Sequence, residues 1–461
     1  MDCLTPQDAT RFWLSRRACN DLFLLYCFDD TGTSDERLRA AVIARSAEIA
    51  DLRMRIREFR FAYPAWEPCD FDESQVIVHR PAEPLWTNVE AALGELLGEG
   101  LPADRYVWRL HLFRGICDAP GGDGPASVVV LQLSHALADG RRAASIAREL
   151  LAGLGETGWG RGRYVDDSGL GRSLFGSIAA EGVAMLSLPF DLVRTVSRGF
   201  AAARAESALN RLADTGDIPG AAGDFVPSLV NRGTAPSRRI VRMLAGENLH
   251  VPGYTVTVVA LTAVSVALSR YLAGRGESVD QLGAQVSVAA STAWRPVRNA
   301  YRKTVSRNNY RDVGVDLDSA EPDLRLRADH IAHALTERRA RAGHPLQSAR
   351  DRVTDALPAP VLRRDLAHFP LDVVPGRISG HTVLSSVHRG PADLSIAGGA
   401  VRFTAGFPAL GAVMHLTHGL HGLGDTVTLS IHTDPQVMPD VDEYARGLQA
   451  ALREVVAALS G

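Results

Sequence analysis

Lysine is nearly absent from this chain: Lys303 is the single one among 50 basic residues, the rest being arginine. Those arginines are interspersed with 53 acidic residues, giving a formal net charge of -3. A broad nucleic-acid surface needs clustered, uncompensated positive charge, so nucleic acid is not an expected partner. Cysteine is scarce as well. The five, Cys3, Cys19, Cys27, Cys69 and Cys117, are odd in number and form no CxxC pair. This excludes a disulfide framework and a zinc finger, and they read as reduced thiols of a cytoplasmic protein. No run of about 20 apolar residues is present to span a bilayer. The opening MDCLTPQDATRFW has no basic patch followed by an apolar run, so no secretory leader is expected. Internal repeats are missing too.

What is there is an ordinary globular composition, 46% hydrophobic and 22% charged, on a chain of 461 residues. That length exceeds one ordinary core and points to two domains. Thr5–Leu14 reads as a short helix with Thr5 as cap and Pro6 at its first position. Helical spacing returns at 34–50, 141–153, 173–212, 255–273 and 440–459. Alternating or continuous apolar stretches predict strands at 107–113, 126–134, 238–244, 284–292, 399–405 and 425–432. Residues 216–236 are rich in Gly and Pro and read as a connection between an N-terminal half, 1–215, and a C-terminal half, 237–461. Helices and strands mix in both halves, so the expected fold class is α/β, with two layered halves.

The segment LQLSHALADGRRAAS puts His135 between a buried strand and a helix. Such a position is held rigidly at one end and open at the other, which suits a side chain whose rate contribution falls steeply with displacement. Asp139 and Gly140 follow; the aspartate can hold the turn or pair with an arginine, and the glycine permits a close approach. The bland alternative is a histidine satisfied by hydrogen bonds in a turn. Ser134 is not placed in a nucleophile elbow, since no GxSxG is present. His415, His418 and His421 recur at three-residue spacing, but glycines at 419 and 422 oppose a helix and no carboxylate or cysteine completes a set, so no metal site is expected. The amphipathic stretch 173–212 has few clustered cations; packing within the protein is favoured over peripheral membrane contact.

HALADG at 135–140 matches the core of the HHxxxDG signature of thioester-dependent acyltransferases, a superfamily that includes chloramphenicol acetyltransferase-like enzymes and condensation domains. Along nearly its whole length the chain resembles the wax ester synthase/diacylglycerol acyltransferase-like group. The resemblance rests on LTPQDATRF near the start, Pro64 and Trp66, Phe71–Asp72 with Val78–His79–Arg80, and LPADRYVWRLHLFRGI. It continues with GYTVTVVALTAVSVALSRYL, TAWRPVRNA followed by Asn308–Asn309, and the closing LSIHTDPQVMPDVDEYARGL. The sequence departs from the pattern in three places: Ser134 stands for the first histidine, Thr257–Val258 for an asparagine-aspartate pair, and SSVHRGP at 385–391 only loosely matches SNxxGP.

The resemblance implies two chloramphenicol acetyltransferase-like halves with an active-site channel between them. His135 would be the general base, and Asp139, Gly140 and Arg295 would support it, Asp139 paired with Arg295 across the halves. Ser134, Asn308 and Asn309 are the candidates for substrate or oxyanion contact. The implied donor is acyl-coenzyme A or an acyl carrier protein, used as co-substrate with no resident cofactor, and the acceptor is an alcohol or amine. Transfer would be direct, in a monomer. The alternatives are a non-catalytic relative that binds acyl thioesters and a thioester hydrolase.

Overall fold

The computed structural model describes residues 2–154, 201–220, 224–233, 238–289, 297–299, 302–304, 306–347 and 353–461. Arg295 and residues 173–200 of the amphipathic stretch lie outside them; residues 201–214 are helical.

Two six-stranded mixed sheets form the frame. The first runs in the order β14 (Ser395–Ile396), β15 (Gly399–Gly406), β2 (Leu22–Asp29), β7 (Ala126–Leu133), β6 (Trp108–Ile116), β5 (Val76–His79). The second runs β12 (Tyr310–Asp316), β9 (Gly283–Ala289), β13 (Thr382–His388), β16 (Leu416–Leu423), β17 (Thr426–Thr433), β8 (Ile240–Glu247). A three-stranded sheet, β1 (Asp2–Cys3), β4 (Ala65–Pro68) and β3 (Met54–Arg57), and a hairpin of β10 (Val297–Asn299) with β11 (Arg302–Thr304) complete the set. The expected α/β class with two layered halves is what the structure has.

The sequence explains the central pieces. β7, ASVVVLQL, is buried at all eight positions and pairs antiparallel with β2 and β6, so its unbroken apolar run is that of a strand covered on both faces. The helix Gly140–Leu151 follows, and buries Ala143, Ile146, Ala147, Leu150 and Leu151 at helical spacing. In the second half the helix Val256–Ala273 is capped by Thr255, whose hydroxyl accepts the Val258 amide at 3.3 Å. Contrary to the expectation that no segment could span a bilayer, this helix is long and apolar enough, with a mean hydropathy of 1.7. It is nonetheless mostly buried, packed with the helix Val441–Ser460 against the second sheet, which is why it is apolar around most of its circumference.

Two features tie the halves together. Residues 399–406, from late in the chain, do not join the second sheet. They pair antiparallel with β2 of the first, Thr404 opposite Tyr26. A shared apolar cluster also joins Phe23, Leu25, Val128 and Val130 of the first sheet and Leu93 of the helix Trp86–Leu96 to Val241 and Met243 of β8. Full burial of each such side chain contributes roughly 1.5–3 kcal/mol. Gly94 permits the contact, since a Cβ there would lie 2.2 Å from the Arg239 carbonyl oxygen.

Candidate active site

His135 sits just past the end of β7, in the turn 134–139, and faces the turn that precedes β12 of the other half. The two turns are joined by hydrogen bonds in both directions. The Asp139 amide donates to the Arg307 carbonyl at 3.1 Å, and the Asn309 amide donates to Asp139 Oδ2 at 3.1 Å. Asn308 Nδ2 donates to the His135 carbonyl at 2.8 Å. Asp139 Oδ1 accepts the Arg142 amide at 3.0 Å, which makes it the N-cap of the helix Gly140–Leu151. Asp139 therefore serves its own helix and the opposite half at once. Arg295, its expected partner, is outside the described residues.

Gly140 has ordinary helical placement. Its missing side chain matters because a Cβ there would stand 2.9 Å from Val387 Cγ2 of β13, so the glycine lets the second half approach the start of the helix. Ser134 is buried and its amide is bonded to the Val107 carbonyl at 2.9 Å.

The imidazole of His135 is half-buried, and its Nε2 lies 3.1 Å from the hydroxyl of Tyr310 on β12. The rings stack with centroids 5.8 Å apart. Nδ1 is buried and has no hydrogen-bond partner among the described residues. Burial, reinforced by the charge of Arg11, pushes the His135 pKa down to about 4. The ring is thus neutral and able to accept a proton near pH 7. Burial pushes the Tyr310 hydroxyl up to about 12, against the lowering influence of Arg11, whose guanidinium carbon stands 5.2 Å from the Tyr310 ring centroid.

Asn308 and Asn309 both take part in holding the seam. Asn308 Nδ2 is committed twice, to the His135 carbonyl and to Asp8 Oδ1 at 3.0 Å, and the Asn309 amide is committed to Asp139. Asp8 is the residue that sequence reasoning passed over. It is buried on the helix Pro6–Ser15 and takes bonds from Thr5 Oγ1 at 2.7 Å, the Arg307 amide at 3.1 Å and Ser306 Oγ at 3.2 Å, besides Asn308. Burial raises its pKa, and these donors pull it back. Asp51 was missed as well: it bridges Arg142, at 2.6 Å, and Arg307, at 2.7 Å, one from each half, while Arg307 lies over Trp66. Asp8, Arg11 and Trp66 were visible only as parts of LTPQDATRF and of the tryptophan segment; nothing marked Asp51 or Tyr310.

His415, His418 and His421 lie on or beside β16 and do not converge on a common point. His418 bonds Thr382 Oγ1 at 2.9 Å and the Tyr444 hydroxyl at 3.0 Å, and His415 Nε2 bonds the Ala412 carbonyl at 3.0 Å. A cavity of about 580 Å³ lined by Asp30, Thr33, Arg114 and Pro125 opens at the end of the first sheet opposite His135, where β7 begins, and takes no part in this site.

A fold of two layered α/β halves meeting at such a seam defines a class, the chloramphenicol acetyltransferase-like and condensation-domain fold, and comparison with solved structures bears out the fold. The chain is similar in fold to the wax ester synthase/diacylglycerol acyltransferase from Marinobacter aquaeolei VT8, with a TM-score of 0.62, 16% identity and 100% of each chain covered. It is similar to the starter condensation domain of rhizomide synthetase in complex with C8-CoA, with a TM-score of 0.54 and 13% identity over 99% of this chain and 94% of that one. It is also similar to the trichothecene 15-O-acetyltransferase from Fusarium sporotrichioides, with a TM-score of 0.53 and 14% identity over 100% of this chain and 94% of that one. No curated protein sequence matches. Residues 312–455 match the family model of the WS/DGAT C-terminal domain, in line with the resemblance to that group.

Proposed function

We propose that the protein is an acyltransferase that moves an acyl group from a thioester to a hydroxyl or amine, with His135 as general base. The observation that carries this reading is the neutral imidazole at the seam, its Nε2 turned toward a residue of the other half. A base so placed can meet two substrates that enter from opposite faces, along the channel implied by the family resemblance. Histidine general bases contribute roughly 10²–10⁴-fold to rate. With its pKa lowered to about 4, an isolated imidazolium here is costly, so proton uptake is favoured only while an adjacent oxyanion forms. Attack and proton transfer are therefore coupled. No acyl-enzyme is needed, and transfer is direct within a ternary complex.

The neighbours' names support the substrate classes. One was solved with C8-CoA, which favours an acyl-coenzyme A donor, and two are named for transfer to oxygen, which favours a hydroxyl acceptor. One chain supplies both walls of the seam, so a monomer suffices.

The test is mass-spectrometric screening of acyl thioesters from two to sixteen carbons against a mixed alcohol and amine library, with free-thiol release followed in parallel. Ester or amide formation that disappears in His135→Ala supports the reading. Thiol release without any acylated acceptor would make the protein a hydrolase, and binding without thiol release a non-catalytic relative. Parallel lines in initial-rate plots over both substrates, in place of intersecting ones, would overturn direct transfer.

A further inference from the structure

Transfer from a thioester needs a donor for the oxygen that becomes negative at the tetrahedral stage, and such donors are commonly the largest single contribution to rate. The donors nearest His135 are mostly spent. Asn308 Nδ2 holds Asp8 and the His135 carbonyl, the Asn309 amide holds Asp139, the Asp139 amide holds the Arg307 carbonyl, and the Leu137 amide holds the Ser134 carbonyl. Tyr310 is different. Other tyrosines here bond groups that stay put: Tyr271 an oxygen of Asp440, Tyr254 an oxygen of Asp329, Tyr63 the Leu357 carbonyl. The Tyr310 hydroxyl points instead at His135 Nε2, the nitrogen that must be vacated for the acceptor, at 3.1 Å. We infer that Tyr310 is the oxyanion donor of the site: once the acceptor displaces it from Nε2, its O–H turns to the thioester carbonyl oxygen. This rests on the acyltransferase reading above.

Arg11 completes the arrangement. Its guanidinium lies against the Tyr310 ring, and no hydrogen bond or ion pair to a carboxylate holds it among the described residues. The Arg11 charge, opposed at Tyr310 by those of Asp312 and Asp139, favours the oxyanion and disfavours an imidazolium formed without one, which is the sign that direct transfer requires. Burial keeps the hydroxyl protonated through the working range. The step balances. The acceptor oxygen bonds to the thioester carbon while its proton passes to His135 Nε2. The carbonyl π pair moves onto oxygen, which accepts the Tyr310 hydrogen bond. Collapse breaks the C–S bond, and the leaving thiolate takes the proton from Nε2. Tyr310 keeps its own proton throughout.

The experiment compares Tyr310→Phe with the unmodified protein, using the acyl-coenzyme A and acceptor pair from the screen. Loss of an oxyanion donor should lower kcat by roughly 10²–10³-fold with KM little changed. Fluorotyrosines at 310 retain ring and hydroxyl while altering hydroxyl acidity, so kcat should vary systematically across them, which a packing role would not produce. A Tyr310→Phe variant within threefold of the parent kcat, a change confined to KM, or kcat indifferent to fluorination would each overturn the assignment while leaving His135 in place. If no pair is turned over by the unmodified protein, the acyltransferase reading itself fails and takes this assignment with it.

Discussion

His135 and the pair His418 and His432 are all held neutral by burial, the first pushed down to about 4 and the others to about 3. Their surroundings differ. His418 lies inside the second sheet with both ring nitrogens engaged by Thr382 and Tyr444 of the same half, and His432 Nδ1 is bonded to the Pro408 carbonyl at 2.8 Å. His135 ends a strand of one half, meets a hydroxyl of the other, and is only half-buried. A depressed pKa is thus no mark of function in this molecule. What separates the two regions is an exchangeable partner at the seam, against fixed partners within a sheet.

The largest expected effect tests that separation directly. His135→Ala should lower turnover by roughly 10²–10⁴-fold while leaving the melting temperature almost unchanged. His418→Ala should do the reverse, losing about 2–5 kcal/mol of stability through the cavity left, with turnover per folded molecule retained. Loss of turnover in a fully folded His418→Ala protein, read by circular dichroism beside the assay, would break the comparison.

Asp8→Ala should affect both regions. It leaves the Arg307 amide without its acceptor and takes one of the bonds of Asn308 Nδ2 and of Ser306 Oγ at the seam, and a destabilisation of about 1–3 kcal/mol in urea unfolding is expected. Turnover should fall as well, because Asn308 positions the His135 carbonyl.

pH sharpens the contrast further. His418 and His432 have folded pKa values below the ordinary 6.5, so the unfolded chain binds more protons below that value. Their stabilising contribution is intact above pH 6.5 and is lost as pH falls toward about 3, with a slope of at most about 1.4 kcal/mol per pH unit for each. Asp21 acts in the opposite sense. Buried, and bonded to Gln132 and the Leu101 amide, it is raised from 3.8 to about 7, so its contribution is present below pH 3.8 and declines as pH rises to about 7. Asp21→Asn should flatten the stability profile between those limits. The acid limb of kcat/KM, which reports the free enzyme, should sit near the lowered His135 value of about 4, below the ordinary histidine range, and Arg11→Gln should move it upward. A limb near 6.5 that Arg11→Gln leaves in place would contradict this electrostatic account of the seam.

The smallest effect is expected from Asp139→Asn. Asparagine also caps helices, so about 1 kcal/mol is lost, mainly from the bond to the Asn309 amide. Thermal unfolding together with hydrogen exchange at 306–310 would measure it.

Legibility in the sequence followed periodicity and stopped where distance began. β7, β17 and the helices Val256–Ala273 and Val441–Ser460 were readable because an apolar pattern reports which faces are covered. β15 was readable as a strand, yet alternation does not name a partner strand, so its place beside β2 was not. β16 was missed: in LTHGLHGL the buried histidines and glycines interrupt the apolar run that a doubly covered strand otherwise shows. At the site, His135 and Asp139 announced themselves through a local motif. Tyr310 and Asp8 are isolated residues whose partners lie 175 and 300 positions away, and only the folded chain brings such pairs together.

The placement of β15 also sets a schedule for synthesis. β2 and β7 leave the ribosome early, but the edge of β2 has no partner until residues 399–406 emerge. At ~5–20 residues per second that wait is on the order of tens of seconds. Through that interval a nascent chain presents an open, apolar sheet edge, LFLLYCFD, of the kind that recruits other strands. Premature termination between Leu133 and Gly399 should therefore release a fragment in which β2 is paired on one edge only.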